Sequence, residues 1–451
     1  MKSNLCICII AIPIIMLAYS CNNTQQNNAS TEADTLITDD SLLTLVQYQT
    51  FRYFWEGAEP VSGMARERIH MDGVYPQNDQ TVITTGGSGF GIMAILVGIE
   101  RGFITRQQGL ERLQHITDYL KKADRFHGIW SHWIYGETGK VKPFGTKDNG
   151  ADGVESAYLM QGLLTVREYL KNGNEQEQKL AADIDKLWRE MEWTWLTKGG
   201  KDVLYWHWSP EYQWQMNFPV EGYNECLIFY VLAASSPTYA INADVYHKGW
   251  ARSGKMVGNV APYGLNLNLK HNGAPEYGGP LFWSHYSFLG LDPRKLEDQY
   301  ANYWEHNRNH ALINYNWCVE NKLQYKGYGK NCWGLTASYS TVGYAAHAPG
   351  TETDLGVISP TAALASFPYT PEESMAALKH FYFNLNHKIW GEYGFYDAFS
   401  EQNNWYPNHY LAIDQGPIPV MIENYRTGLL WNLFMGAPEI KEGLNKLGFK
   451  Y

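Results

Sequence analysis

The chain has 451 residues, 45% of them hydrophobic and 18% charged, which supplies a large core and excludes wholesale disorder. A net charge of −10 and the lack of any Lys/Arg run exclude a nucleic-acid binder, which needs basic patches to displace counterions. Aromatics are in excess at 15%, with 17 Trp and 32 Tyr, and most of them must serve a large core.

Residues 1–20 read as an export signal: Lys2, an apolar run from Leu5 to Ala18, then Ser20 before Cys21. The run is too short to span a bilayer. A cysteine directly after an apolar run and a small residue resembles a bacterial lipobox, although Leu17 stands one place further from Cys21 than is usual. On this reading Cys21 carries lipid, the membrane is touched only through that anchor, and the protein sits on the outer membrane, on its periplasmic or cell-surface side. Residues 21–40 are polar and low in complexity, which suits a flexible tether. With Cys6 and Cys8 in the leader, Cys226, Cys318 and Cys332 remain. They are expected as buried thiols, with Cys318–Cys332 the one conceivable disulfide.

Residues 41–451 contain no linker-like break and read as a single domain. The first helix, over 41–58, follows Asp39 and Asp40, which can cap it. An apolar, small-residue helix over 87–102 comes next, then an amphipathic one over 104–123 behind the cap Thr105. The alternation continues with an apolar helix over 152–170, a polar periodic one over 175–196 and an apolar one over 222–235. Further helices are expected after Ser236-Pro237, over 280–290, over 292–321, over 359–367, over 370–387 and over 415–435. Several begin at a dipeptide that puts Pro in the first turn, where its missing N–H costs nothing. About twelve helices that alternate between buried all round and buried on one face suit two concentric rings, an all-α (α/α)6 barrel. Long aromatic and Gly-rich loops over 57–87, 126–150, 200–220, 253–280, 322–356 and 388–415 are too long to be simple connectors.

Carboxylates recur where loops enter apolar helices. Asp148, Asp152 and Glu155 precede or open one of them, and Asp152 and Glu155 share a face. Capping by Asp152 with Glu155 at the capping-box position explains that spacing as well as an active site does. Glu221 and Glu225 precede the next apolar helix, where burial would raise a carboxyl's pKa as a general acid requires. Asp414 opens the last, and a cap role is equally economical there. The same loops carry Trp130, His132, Trp133, Trp208, Trp283, His285, Trp333, Trp405 and His409, residues that can stack on sugar rings and bond their hydroxyls. No nucleophile elbow, phosphate loop, dinucleotide fingerprint or metal-ligand spacing is present, so no cofactor and no metal are expected.

The stretches TTGGSGFG, DGVESAYLMQGLL, GYNECLIFYVLAASSPT, GGPLFWSHYSFLGLDPR and TDLGVISPTAALASFPYTPEESM resemble the bacterial "putative glucoamylase" family. That family contains the β-1,2-glucanases of glycoside hydrolase family 144, and the resemblance runs from about 45 to 450. It implies an (α/α)6 barrel and an anomer-inverting hydrolase of β-1,2-glucan or its oligosaccharides, endo-acting or exo-acting with release of sophorose. Its D-G-x-E cluster falls on Asp152 and Glu155, and its G-Y/W-N-E acid on Glu225. An inverting pair needs more separation than two positions on one helix turn give, so one of Asp152 and Glu155 is expected to act with Glu225 or Asp414 across a cleft. The alternatives are an exo-hydrolase of another glucan, a non-catalytic glycan-binding lipoprotein, and a polysaccharide lyase, the last disfavoured by the acidic loops. A monomer is expected.

Overall fold

Fourteen residues of one helix, Thr85 through Gly98, are buried without a break, and that run sets the architecture. A computed structural model describes residues 37–274 and 276–451; the export signal, Cys21 and nearly all of the tether lie outside the described residues. Helix α1 (Asp39–Trp55) is outer and α2 (Thr85–Glu100) inner. The order repeats with α3 (Arg106–Leu120) and α4 (Gly153–Leu170), then α5 (Glu175–Arg189) and α6 (Leu227–Ser235). Inner α4 and α6 are buried nearly throughout, whereas outer α5 buries Leu180, Ile184 and Leu187 at helical spacing and exposes its charges. A π-helical turn at Val245–Trp250 and two 3-10 turns at Leu281–Ser284 and Tyr286–Phe288 form the fourth pair. Outer α7 (Tyr303–Glu320) precedes inner α8 (Pro360–Leu364). Outer α9 (Pro371–Lys379) and the short α10 (Asn386–Ile389) lead to the inner pair α11 (Ala412–Gln415) and α12 (Pro417–Arg426). Gly416 keeps helical angles, so α11 and α12 run on as one rod, before α13 (Leu429–Phe434) and α14 (Pro438–Lys446) end the chain. This is the expected (α/α)6 arrangement.

The rings close through specific contacts. Gly89 of α2 and Gly162 of α4 meet backbone to backbone, and a Cβ on either would run into the other helix. Glu423 at the end of α12 is buried and takes a two-pronged ion pair from Arg101, at 2.7 and 2.9 Å. It also accepts from Gln47 of α1 at 3.0 Å and from Thr427 at 2.7 Å, which ties the last inner helix to the first pair.

Local signals set several ends. Thr105 makes a full capping box with Gln108, and Asp152 caps α4 by accepting from Val154 and Glu155 N–H. Several expected helices are shorter or broken: that over 222–235 starts at Leu227, that over 370–387 is interrupted after Lys379, and that over 415–435 breaks at the left-handed Gly428. Ser236-Pro237 starts no helix before the turn at Val245. Residues 280–290 form 3-10 turns because the Gln161 amide stands where an i to i+4 bond would run: it donates to Tyr286 O and accepts from Gly290 N. The helix expected over 292–321 starts only at Tyr303, because Asp298 holds the preceding turn. Its carboxylate takes the Tyr300 and Ala301 N–H groups and the Tyr246 and Tyr303 hydroxyls.

The long loops carry short antiparallel strands that the sequence reading lacked. Strands β1 (Arg68–His70) and β13 (His409–Leu411) pair, as do β2 (Val82–Thr84), β3 (Trp133–Tyr135) and β4 (Lys140–Lys142) in one small sheet. Strand β5 (Ala151–Asp152) pairs with β6 (His207–Trp208), and β7 (Val257–Val260) with β8 (Leu267–Leu269). Hairpin β9 (Ala337–Ser340) to β10 (Gly343–Ala346) projects from the loop before α8, and β11 (Trp390–Gly391) pairs with β12 (Gly394–Phe395). Cys226, Cys318 and Cys332 are buried and unbridged.

Replacing Glu423 with Ala strands the Arg101 guanidinium and the Gln47 amide at the ring closure. The expected loss is about 3 kcal/mol of unfolding free energy, the lower part of the range for breaking a buried pair because Arg101 is partly exposed. Chemical denaturation of the variant beside the parent measures it, and a loss under 1 kcal/mol contradicts the role given to this contact.

Candidate active site

The N-terminal ends of α2, α4, α6 and α11, with the turn at Leu281–Ser284, surround one cleft of about 530 Å³. Three carboxylates line it: Glu67, Glu155 and Glu225. Around them stand Trp133, Phe144, Trp206, Phe282, Tyr286 and Tyr344, aromatic walls suited to apolar ring faces.

Backbone bonds hold the first acidic group in place. Thr85 N–H donates to His132 O and Asp152 N–H to Trp130 O, so segment 130–133 is clamped between the starts of α2 and α4. The β5–β6 register sets Asp152 opposite His207. Two imidazoles and two carboxylates then alternate. His132 Nδ1 lies 3.2 Å from Asp152 and 3.8 Å from Asp148, and His207 Nδ1 lies 3.4 Å from Asp148 and 3.6 Å from Asp152. Burial opposes charge on His132, but Glu155, Asp152 and Asp148 outweigh it and raise its pKa to about 10. Burial likewise opposes charge on Asp152, and the facing His132, with the nearby His207, outweighs it and lowers its pKa. The Phe144 ring stacks on His132 at 4.2 Å.

Glu155 is not the second half of a capping box. Its Oε2 turns to the neighbouring helix and accepts the first-turn N–H of Gly86 at 2.9 Å, an approach that only glycine leaves open. Its Oε1 stands 3.9 Å from His132 Nε2. Burial pushes Glu155 up to about 7, with His132 pulling the other way and Asp152 adding to the rise. Glu225 reaches about 7 by burial alone, partly offset by hydrogen bonds from its own N–H and from Cys226. It sits one turn before α6, whose start is pinned by Ser287 accepting from Ile228 N–H and donating to Glu225 O.

A further acidic pair stands behind the wall. Asp414 and Asp397 are buried and bonded to each other, and Tyr286 O–H donates to Asp414 at 3.4 Å. Burial raises Asp397 to about 6, and burial with the Asp397 charge lifts Asp414 well above the carboxylate range, so Asp414 keeps the shared proton. Glu67 is also raised by burial, against the pull of Arg68 and His132, and Arg68 pairs with Glu67 at 3.5 Å and with Asp79 at 3.1 Å.

Of the residues singled out from sequence, Glu155, Glu225, His132 and Trp133 line the cleft. Asp152 is fully buried behind Glu155, and Asp414 reaches the cleft only through Tyr286. Three expected sugar contacts are core residues. Trp130 donates to Leu120 O and Trp333 to Glu373 O, both fully buried, while His285 bonds Ser366 and is driven to about 3 by burial. Trp208 packs on Phe126 and Trp195, Glu221 faces solvent beside Arg252, and Trp405 closes a turn with Ser400. His409 stacks on His70 at 3.8 Å, and Trp283 faces a separate cavity. Sequence reasoning missed Glu67, Arg68, Tyr286, Tyr344 and Asp397. Glu67 and Asp397 lie in loops, Arg68 and Tyr344 in short strands and Tyr286 in a 3-10 turn, so none carried a helical spacing signal.

Ion-holding groups by proximity occur without sequence spacing. Among the described residues they are His132 with Asp148 and Asp152, His70 with Asp72 and His409, and Cys332 with His380 and Glu401. In the first Asp152 already faces His132 at 3.2 Å, and in the second both His70 nitrogens are taken, by Val74 O and Tyr339.

The family model described as "Putative glucoamylase" matches residues 217–438. An endo-β-1,2-glucanase from Chitinophaga pinensis, solved with sophorotriose and glucose, is 66% identical, with 92% of this chain and 99% of that one covered and a TM-score of 0.91. A "putative glucoamylase" from Bacteroides caccae is 60% identical over 92% of this chain and 100% of that one, with a TM-score of 0.90. An exo-β-1,2-glucooligosaccharide sophorohydrolase from Parabacteroides distasonis is 48% identical over 95% of this chain, and the match spans 61% of that protein's length.

Asp152→Asn keeps the cap, since Asn caps as well as Asp, but removes one counter-charge from His132. The His132 pKa is therefore expected to fall from about 10, and stability at neutral pH to fall with it, because the folded state no longer favours the protonated ring as strongly. A titration of isotope-labelled histidine by NMR reads this directly, and an unmoved His132 contradicts the alternating ring.

Proposed function

The chain belongs to the "putative glucoamylase" family of the glycoside hydrolase 144 type, and from that footing we propose that it hydrolyses β-1,2-glucan or its oligosaccharides with inversion at the anomeric carbon. The observation that carries this reading is the pair Glu155 and Glu225, two carboxyls of pKa about 7 lining one aromatic cleft. Inverting carboxyls stand about 6.5–9.5 Å apart. Packed helix axes lie about 8–10 Å apart, so acids opening the adjacent inner helices α4 and α6 suit that spacing. Asp152 and Glu155, on one helix turn, do not.

The roles follow from the surroundings. Glu155 has a cation and a fixed N–H to support its charged form, whereas Glu225 has no cation beside it. When substrate expels water, Glu225 keeps its proton and Glu155 loses one first. Glu225 then protonates the glycosidic oxygen as the C1–O bond breaks. A water between Glu155 and C1 gives its proton to Glu155 and its oxygen to C1, and solvent resets both groups. His132 and Asp152 position Glu155. Endo action is favoured by the likeness to the Chitinophaga enzyme over nearly its whole length.

Glu155→Gln and Glu225→Gln are each expected to fold normally and to lower kcat by about a thousandfold or more. In the parent, kcat/KM is expected to fall above about pH 7, where Glu225 loses its proton, and again below it, where Glu155 gains one. NMR of fresh products from linear β-1,2-glucan should show the α-anomer first. A β-anomer first, or no release of reducing ends, sinks the reading.

We further propose that Cys21 is lipidated and anchors the enzyme at the outer membrane, supported by the signal-like run before it. Several acyl chains, at about 0.8 kcal/mol per buried CH₂, make such an anchor permanent. Cys21→Ser is expected to move the protein from the detergent to the aqueous phase of a phase-separating extraction with its activity intact. Parent protein already in the aqueous phase contradicts the anchor.

A further inference from the structure

Phe282 and Trp283 are consecutive, yet they face different cavities. Phe282 lines the cleft just described, and Trp283 lines a second cavity of about 360 Å³. Hairpin β9–β10 borders both: Tyr344 faces the first and Ala346 the second. Residues two apart on a strand share a face and lie about 6.6 Å apart along it. The second cavity therefore begins about one sugar ring beyond the wall of the first, along the same exposed strand.

Its lining is fixed and uncharged by bases. The Trp283 ring is held against Phe282 and His271, and the Tyr277 ring against Trp317. Both therefore offer faces that are already oriented. Glu276 and Glu352 are exposed at its rim and can accept hydrogen bonds from sugar hydroxyls, with Thr351 beside them. No Lys or Arg is among the described residues that line it, which disfavours an anionic ligand. Fixed aromatic faces with hydroxyl acceptors suit a neutral sugar.

We propose that this cavity is a distal subsite that binds further glucosyl units of the chain running out of the cleft across β10. The proposal rests on the β-1,2-glucan reading of the main cleft. It assigns Trp283 a contact with substrate remote from the bond that breaks.

The test compares two linear β-1,2-linked gluco-oligosaccharides, the shortest that the parent cleaves and one several units longer. Ala346→Trp and Thr351→Trp fill the cavity from exposed positions outside the main cleft. They are expected to lower kcat/KM on the longer substrate by about three- to tenfold, the size of one lost aromatic platform. The loss should appear in KM, with turnover of the shorter substrate unchanged. Parent activity on the longer substrate that neither variant alters overturns the subsite and leaves the main-cleft reading standing. A parent that cleaves no β-1,2-glucan overturns both. If the two variants lose activity equally on both lengths, Glu352→Gln decides: weaker KM on the longer substrate alone supports the subsite, and no length dependence rejects it.

Discussion

A helix packed on every side has nowhere along its length to put a charge. The inner helices obey this: α6 is buried from Leu227 to Ser235 and carries no charged residue. Their charged residues are driven to the ends, where first-turn N–H groups have no intrahelical partner and can donate to a carboxylate. Six inner elements in one ring put several such ends on one side. The cleft, its acids and the long loops around it all follow from that placement.

The acids do not titrate alike, because few positive groups are shared among many. His132 and Arg68 are the cations nearest the cleft carboxylates. Asp152 takes the closest approach to His132 and stays ionised, while Glu155 receives a longer contact and one N–H. Glu225 receives no cation, and Asp414 shares a proton with Asp397. Burial and unequal access to one imidazolium thus spread these carboxyls from Asp152, held ionised, to Asp414, held protonated, with Glu155 and Glu225 between them.

The same ring that builds the cleft couples it to the fold. Gln161 of α4 bonds the backbone of the 281–288 turns, and Ser287 of those turns holds the start of α6 beside Glu225. Tyr286, between them, touches Asp414 at the start of the last inner rod. Core polar contacts therefore fix the spacing of groups on three different inner elements, which rotamers alone would leave loose.

Local chemistry was legible in the sequence. The alternation of helix types gave the two rings, Thr105 and Asp152 gave caps, and acids at loop-to-helix junctions gave Glu155 and Glu225. These depend on neighbours a few residues away, and period and spacing report such neighbours. The membership of the cleft was decided only in three dimensions. Trp130, Trp333 and His285 turned into the core while Trp133 and His132 faced out, and the loop residues Glu67 and Asp397 met partners more than a dozen residues distant. An aromatic in a loop carries no periodic sign of which way it points. Long-range packing chooses its face, and the sequence by itself states no distance between loops.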